Sequence, residues 1–173
     1  MSHVYTIGHS TRSLQEFIEL LRENDIGILV DVRSWPSSSR YPHFDRESLA
    51  RSLGEDGVRY EWLGEQLGGY RKKGLGEESP NKAWRSMGFR NYADYTMTEQ
   101  FRGGIRRLLE LADDGRVAVM CAEQLDWRCH RRIISDYLIV KGHTVTHILG
   151  QGKTEEHRLT GFAKDVNGEL RYP

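Results

Sequence analysis

The chain has 173 residues with 25 basic and 25 acidic side chains, so its formal net charge is zero when histidine is neutral. This balance excludes a global positive field that would by itself attract nucleic acid or an anionic membrane. The length and an apolar content of 38% predict a single domain over residues 1–173 with one hydrophobic core.

The first elements predicted are a strand, a helix and a second strand. Val4–Gly8 is short and rich in β-forming residues, and a turn follows it. Ser13 and Glu16 have the spacing of a capping box, and apolar residues at helical spacing come next. Ile26–Val32 is mostly apolar and of strand length, which is typical of a buried parallel strand. The three elements predict a βαβ crossover.

The middle of the chain has weaker signals. A Ser- and Pro-rich loop leads to Asp45, a good N-cap for the next helix. Val58–Leu63 alternates enough to predict a third strand. Residues 64–90, which contain LGGYRKKGLG, are too many for a plain connection. The basic run Arg71-Lys72-Lys73 in this segment predicts a mobile basic flap. A solvated surface loop would explain the same run equally well.

The last third of the chain predicts two more strands. Residues 91–113 have a helical pattern, in one or two pieces, and Val117–Cys121 is a short apolar strand. A helix follows, and Thr144–Leu149 is the fifth strand. The tail, 150–173, is polar and Gly-rich, with a turn signal at Asn167-Gly168.

Alternation of strands and helices predicts an α/β fold. The expected form is a doubly wound, mainly parallel, Rossmann-like sheet of about five strands with helices on both faces. Polar residues directly follow several strands, and the carboxyl ends of parallel strands share one edge. The sequence therefore predicts one composite site at that edge, built around the stretch Arg116–Arg132.

Several motifs occur in a recognisable order. They are TIGHST (6–11), LVDVRSWP (29–36), LGG (67–69), MCAE…CHRR (120–132) and GHTVTHI (142–148). In this combination the chain resembles the domain-of-unknown-function family 488, over most of its length. The resemblance implies a Rossmann-like α/β fold with TIGHS, DVR and the cysteine motif as signature positions, and it implies no reaction. One departure is Gln124–Arg128, where the family often has an acidic or proline-containing segment.

Cys121 is the candidate nucleophile. A thiolate at a strand end, near a helix N-terminus and arginines, has a lowered pKa and reacts near neutral pH. The alternative is a buried apolar cysteine that ends a strand. The spacing from Cys121 to Arg128 is one residue longer than the Cys-x5-Arg loop of cysteine phosphatases, so that motif is excluded. The nucleophile hypothesis predicts selective alkylation of Cys121.

Other candidate catalytic residues are His9 or His130, as acid or base, and Glu123, which would orient one of them. The candidate substrate-binding residues are Ser10, Asp31, Arg33, Arg40 and Arg131. Asp31 and Arg33 would equally well form a structural ion pair. Arg131 falls in the first turn of a helix, an unfavourable place for a cation unless it engages an anion or a carboxylate.

Two further uses of the cysteines remain open. Cys129 and His130, together with Cys121, Glu123, His9 and His147, would supply ligands for zinc or iron, but Cys-x7-Cys-His is not a standard ligand spacing, and no metal residue is assigned. Alternatively, Cys121 and Cys129 form a redox pair if the loop brings their Cα atoms within about 7 Å. The sequence assigns no cofactor.

The function expected is that of a cysteine-dependent enzyme acting on a small anionic substrate, such as a nucleotide, a nucleic-acid component or a phosphorylated metabolite. The alternative is a binding module for nucleotides or nucleic acid, with contacts from Arg40, Arg71, Lys72 and Lys73 and stacking on loop aromatics. No apolar run approaches the roughly 20 residues of a membrane span, and no signal peptide is recognisable. A cytoplasmic location is the default expectation.

Overall fold

The computed structural model describes all residues from Met1 to Pro173. Its helices and strands are, in chain order, β1 (His3–Gly8), α1 (Leu14–Glu23), β2 (Ile28–Asp31), α2 (Arg46–Glu55), β3 (Arg59–Trp62), α3 (Gly64–Leu67), α4 (Met87–Tyr95), α5 (Glu99–Asp114), β4 (Val117–Cys121), α6 (Arg131–Val140), β5 (Thr144–Gly150), β6 (Lys153–Glu156), β7 (Lys164–Val166) and β8 (Glu169–Arg171). None of these helices is both long and apolar enough to cross a membrane.

The central sheet has six strands in the order β3-β2-β4-β1-β5-β6. The first five are parallel, and β6 pairs antiparallel to β5 at the edge. The mainly parallel Rossmann-like α/β fold predicted from the sequence is thereby confirmed, with one strand more than expected. The extra strand lies in the tail, whose polar residues gave no strand signal.

Hydrophobic residues cover both faces of the sheet. On one face α1 and α2 pack against alternate strand residues, including Ala118 and Met120 of β4. On the other face α4, α5 and α6 pack against the remaining set, including Val117, Val119 and Cys121. The period-2 alternation of a strand thus directs the Cys121 side chain toward α6.

Local signals predicted several features correctly. Ser13 and Glu16 form both hydrogen bonds of the capping box at the start of α1. Asn167 and Gly168 both have positive φ, 54° and 83°, as a two-residue turn between β7 and β8 requires. Although the tail is polar overall, Leu170 and Tyr172 are buried in the core beside α6.

The segment 64–90 differs from the predicted long loop. It contains α3 and a 3-10 turn at Gly76–Glu78, and α4 begins at Met87. The buried carboxylate of Asp94 accepts hydrogen bonds from the backbone of Leu75 and from the side chains of Ser79 and Asn81. This carboxylate anchors the segment to α4, a role that local sequence patterns do not reveal.

Candidate active site

The candidate site lies where the chain reverses its direction of winding across the sheet. From β1 the chain crosses to β2 on one side, and from β4 it crosses to β5 on the other, although β1 and β4 are neighbours. Ligands of open α/β sheets bind at such a switch point. Here the register pairs Gly8 at the end of β1 with Cys121 at the end of β4. An open cleft of about 870 Å³ lies above these two ends.

The floor of the cleft holds both cysteines of the protein. After β4 the chain makes a 3-10 turn at Asp126–Arg128 that brings Cys129 back over the strand end. The sulfur atoms of Cys121 and Cys129 lie 3.0 Å apart, and both are free thiols. The residues are 3% and 8% exposed, and both line the cleft. This separation is about 1 Å longer than a disulfide bond, so the loop brings the two sulfurs close enough for a bond to form after a small movement.

Arg131 holds this thiol pair in place. Its Nε donates to Cys121 Sγ at 3.0 Å and to Cys129 Sγ at 3.3 Å. Its Nη2 donates to the carbonyl oxygens of Glu123 and Gln124, and its Nη1 donates to Thr6 Oγ1. The residue is 1% exposed and is the largest fully buried side chain. The guanidinium at the start of α6 therefore contacts no carboxylate, and its partners are two sulfurs, a hydroxyl and two carbonyl oxygens of the protein itself.

The two thiols differ in their surroundings. Burial raises the pKa of Cys121 well above its ordinary value, and the nearby carbonyl oxygen of Glu123 can accept its S–H. Burial also opposes ionisation of Cys129, but hydrogen bonds from Cys121 and His130 and the charge of Arg131 lower its pKa well below the ordinary value. The backbone N–H of Arg131, at the start of α6, also donates to Cys129 Sγ. These contacts favour the thiolate form at Cys129 over Cys121, and the lowered pKa expected at Cys121 is not found there.

The other candidate catalytic residues lie nearby but make no hydrogen bonds between one another. His9 lines the cleft, its ring stacks on Phe44, and burial lowers its pKa. Its Nδ1 contacts the carbonyl oxygen of Ser10. His130 Nε2 lies 3.1 Å from the carbonyl oxygen of Val32. Glu123 contributes its carbonyl oxygen to Arg131, while its side chain is exposed at the rim.

The predicted substrate-binding residues separate into two groups. Ser10, Arg33 and Arg40 line the cleft. Asp31 and Arg131 are buried beneath it. Asp31 accepts two hydrogen bonds from the guanidinium of Arg33, one from its backbone N–H and one from Tyr60, which matches the structural ion pair considered for it. Arg33 is 7% exposed, and its Nη1 has no hydrogen-bond partner in the protein.

The Cys121, Cys129 and His130 set does not fit a cation. The guanidinium of Arg131 donates to both sulfurs, so a positive charge already occupies the position that a metal ion bound to them would need. Sequence reasoning also missed Thr6, whose hydroxyl joins Arg131 to His147. Its sequence signals are its place at the start of the TIGHST motif and its position two residues before Gly8 on the strand β1, which puts both on one face.

The family model described as Domain of unknown function DUF488 matches residues 13–138. The chain belongs to the DUF488 family. The comparisons with curated proteins and with solved structures give no match. The DUF488 match includes both cysteines and Arg131, whereas the TIGHST and GHTVTHI motifs fall outside it.

In this DUF488 domain close packing explains why position 8 is a glycine. A Cβ atom at Gly8 would lie 1.8 Å from the carbonyl oxygen of Glu123. That oxygen is also an acceptor for Arg131, so the loop between the cysteines lies directly on the backbone of β1. A side chain at position 8 would push this loop, and with it the dithiol, away from the strand.

Replacement of Gly8 by alanine is expected to destabilise the domain by about 3 kcal/mol, the upper end for overpacking, because the clashing atoms belong to backbone. Urea unfolding followed by circular dichroism measures the change. Gly27→Ala is the matched control, since a Cβ at Gly27 meets nothing within 4 Å. Equal effects of the two substitutions would contradict the packing explanation.

Proposed function

We propose that this DUF488 domain is a cysteine-dependent enzyme that performs two-electron thiol chemistry on a small anionic substrate. The observation that carries the proposal is the 3.0 Å contact between Cys121 Sγ and Cys129 Sγ under the guanidinium of Arg131. Such a pair, at the floor of an open polar cleft, has the form of a reactive dithiol, in which one sulfur attacks and the other resolves.

Each sulfur has a distinct role in this chemistry. The substrate is an oxidant with a cleavable bond between two heteroatoms. The Cys129 thiolate attacks one atom of that bond and forms a covalent bond to it, while the other atom leaves with the electron pair of the broken bond. Cys121 then attacks Cys129 Sγ, loses its proton to solvent and forms the disulfide, while the attached fragment leaves with the electron pair of its bond to sulfur. The dithiol is oxidised by two electrons and the substrate is reduced by two. Two equivalents of a cellular thiol restore the dithiol and leave as their own disulfide, a cycle that suits the reducing cytoplasm.

Positive groups around the cleft support an anionic substrate. Arg33, Arg40 and Arg128 line it, against one acidic side chain, Glu123. More than nine in ten buried polar groups have a partner, so the unpaired Nη1 of Arg33 is well suited to donate a hydrogen bond to a ligand oxygen. Oxyanions such as phosphate or sulfate groups match a guanidinium in charge and geometry.

The rim of the cleft favours a substrate that also has a flat group. Trp35 and Tyr70 line the cleft, are 65% and 55% exposed, and have ring centroids 5.1 Å apart. Aromatic side chains of this kind offer a surface for stacking. A nucleotide has both features, since its base is a flat group that can stack on these rings and its phosphate is an anion. Arg71, Lys72 and Lys73 line a separate, smaller pocket, so they do not support an extended nucleic-acid path through the cleft.

Competitive alkylation tests the assignment of the nucleophile. The folded protein is treated briefly with iodoacetamide at pH 7, and the two cysteine peptides are quantified by mass spectrometry. Cys129 is expected to react at least about tenfold faster than Cys121, since one pKa unit changes the thiolate fraction about tenfold. The same reaction in urea is the control, in which the two rates should be similar. Preferential reaction of Cys121 in the folded protein would contradict the assigned roles.

A further inference from the structure

A second cluster of metal-ligating side chains lies beyond Thr6, outside the cleft. It consists of Asp126, His147 and His157, whose donor atoms all lie within 4.8 Å of one another. His147 Nε2 is 2.8 Å from His157 Nδ1 and 3.3 Å from Asp126 Oδ2. The side chains are 4% (His147), 6% (His157) and 11% (Asp126) exposed. Three segments of the chain therefore place two imidazoles and a carboxylate next to one another in the interior of the protein.

The outer atoms of both rings are held by other polar groups. His147 Nδ1 lies 2.6 Å from Thr6 Oγ1, and His157 Nε2 lies 2.7 Å from Asp136 Oδ1. Asp136 is itself fixed by the hydroxyl of Tyr172 and the backbone N–H of Thr160. Metal-bound histidines almost always have this arrangement, in which the distal ring nitrogen is bonded to a carboxylate, a hydroxyl or a carbonyl and the proximal nitrogen faces the metal.

We propose that Asp126, His147 and His157 form a binding site for a divalent transition-metal ion such as Zn²⁺. Two imidazoles and one carboxylate are a frequent ligand set for zinc and for ferrous iron, with at least one coordination position left open. Ligand bonds of about 2.1 Å place donor atoms roughly 3.0–3.4 Å apart. The His147–Asp126 distance fits this range, and the His147–His157 pair needs to open by only a few tenths of an ångström.

The charges around the cluster also favour a cation. Asp126 and Asp136 contact the rings of His147 and His157, and neither carboxylate forms a salt bridge to a lysine or an arginine. The charge of Arg131 acts on Asp126 and His147, but its hydrogen bonds go to the thiol pair, to Thr6 and to two carbonyl oxygens. The two imidazoles are thus the only groups in contact with these carboxylates that could become cationic. A divalent ion would compensate the two carboxylates.

The ion would connect the loop between the cysteines to the far edge of the sheet. Asp126 lies in the 3-10 turn that carries Cys129 back over β4, His147 lies in β5, and His157 directly follows β6. Metal binding is therefore expected to stabilise that turn. The proposal does not depend on the enzymatic role of the dithiol.

Metal titration of the full chain tests the site. The protein is stripped with a chelator, dialysed and titrated with Zn²⁺ or Co²⁺, and bound metal is measured by mass spectrometry. We expect one equivalent of metal, a rise in Tm with Zn²⁺, and a Co²⁺ spectrum with d–d bands but no thiolate-to-cobalt charge-transfer band.

Asp126→Asn and His157→Gln should each weaken binding by at least about tenfold. Cys121→Ser/Cys129→Ser and His143→Gln are the controls and should bind as the wild type does.

A measurement on the wild type alone covers the case in which a ligand variant does not fold. X-ray absorption of the Zn²⁺-loaded protein should show only nitrogen and oxygen neighbours, with the outer-shell pattern of imidazole. Sulfur neighbours in the spectrum would show that the metal binds at the cysteines instead, and this result would overturn the proposal. Absence of a bound equivalent at micromolar free Zn²⁺, or binding unchanged in both folded ligand variants, would overturn it as well, and the three groups would then form only a hydrogen-bonded chain.

Discussion

Arg131→Met is expected to lower the free energy of unfolding by about 3–5 kcal/mol, the range found when one partner of a buried charge pair is removed. The guanidinium is 1% exposed and donates to both sulfurs, to Thr6 and to two loop carbonyls. Methionine has a similar length and no donors, so it would leave these acceptors unpaired in the core. Urea unfolding gives the loss.

The same substitution should also slow alkylation of Cys129, since the thiolate would lose its nearest positive charge. Arg131→Lys keeps the charge but has too few donors for all the acceptors, and it should fall between the wild type and Arg131→Met. Arg128→Met is the matched control, because Arg128 is exposed in the same loop. A loss below about 1 kcal/mol for Arg131→Met would contradict the central place given to this side chain.

Cys121→Ser is expected to accumulate a stable mixed disulfide with glutathione. Cys129 attacks oxidised glutathione, forms a bond to one of its sulfurs and releases the other as a thiolate. In the wild type Cys121 displaces the attached glutathione from Cys129. The serine of the variant cannot do so, although it preserves the size of the site. Intact-protein mass spectrometry after exposure to oxidised glutathione measures the adduct.

Cys129→Ser is the matched variant and should remain largely unmodified, since Cys121 has a raised pKa and the lower exposure of the two. The adduct is expected to be at least about tenfold more abundant in Cys121→Ser than in Cys129→Ser. Comparable adducts in both variants would show that the sulfurs are not divided into attacking and resolving groups.

The fold of this DUF488 domain was largely predictable from local pattern. Val117–Cys121 is apolar over a strand length, and Ser13 with Glu16 marks the start of α1, so each local signal agrees with the final structure. The edge strand β6 was not predictable, because all its residues are exposed and polar. Its pairing with β5 is set by tertiary contact rather than by its own sequence.

The location of the candidate site was predictable from the sequence, but the contacts between its side chains were not. The carboxyl ends of parallel strands coincide, which placed Gly8 and Cys121 together. The return of Cys129 to 3.0 Å from Cys121 depends on a 3-10 turn with no clear sequence signal. For the same reason the lowered pKa was expected at the wrong cysteine, since the hydrogen bonds that decide it come from the loop geometry. His157 lies in the tail and reaches His147 only because β6 pairs with β5.

The most direct test of the dithiol is a redox titration of the wild-type protein in glutathione buffers of graded ratio. Alkylation of the remaining thiols followed by peptide mass spectrometry gives the fraction of Cys121 bonded to Cys129. We expect a single two-electron transition to the intramolecular disulfide, fully reversed by a reducing dithiol. Two thiols that stay free, or that form only intermolecular or glutathione disulfides across the whole range, would contradict it.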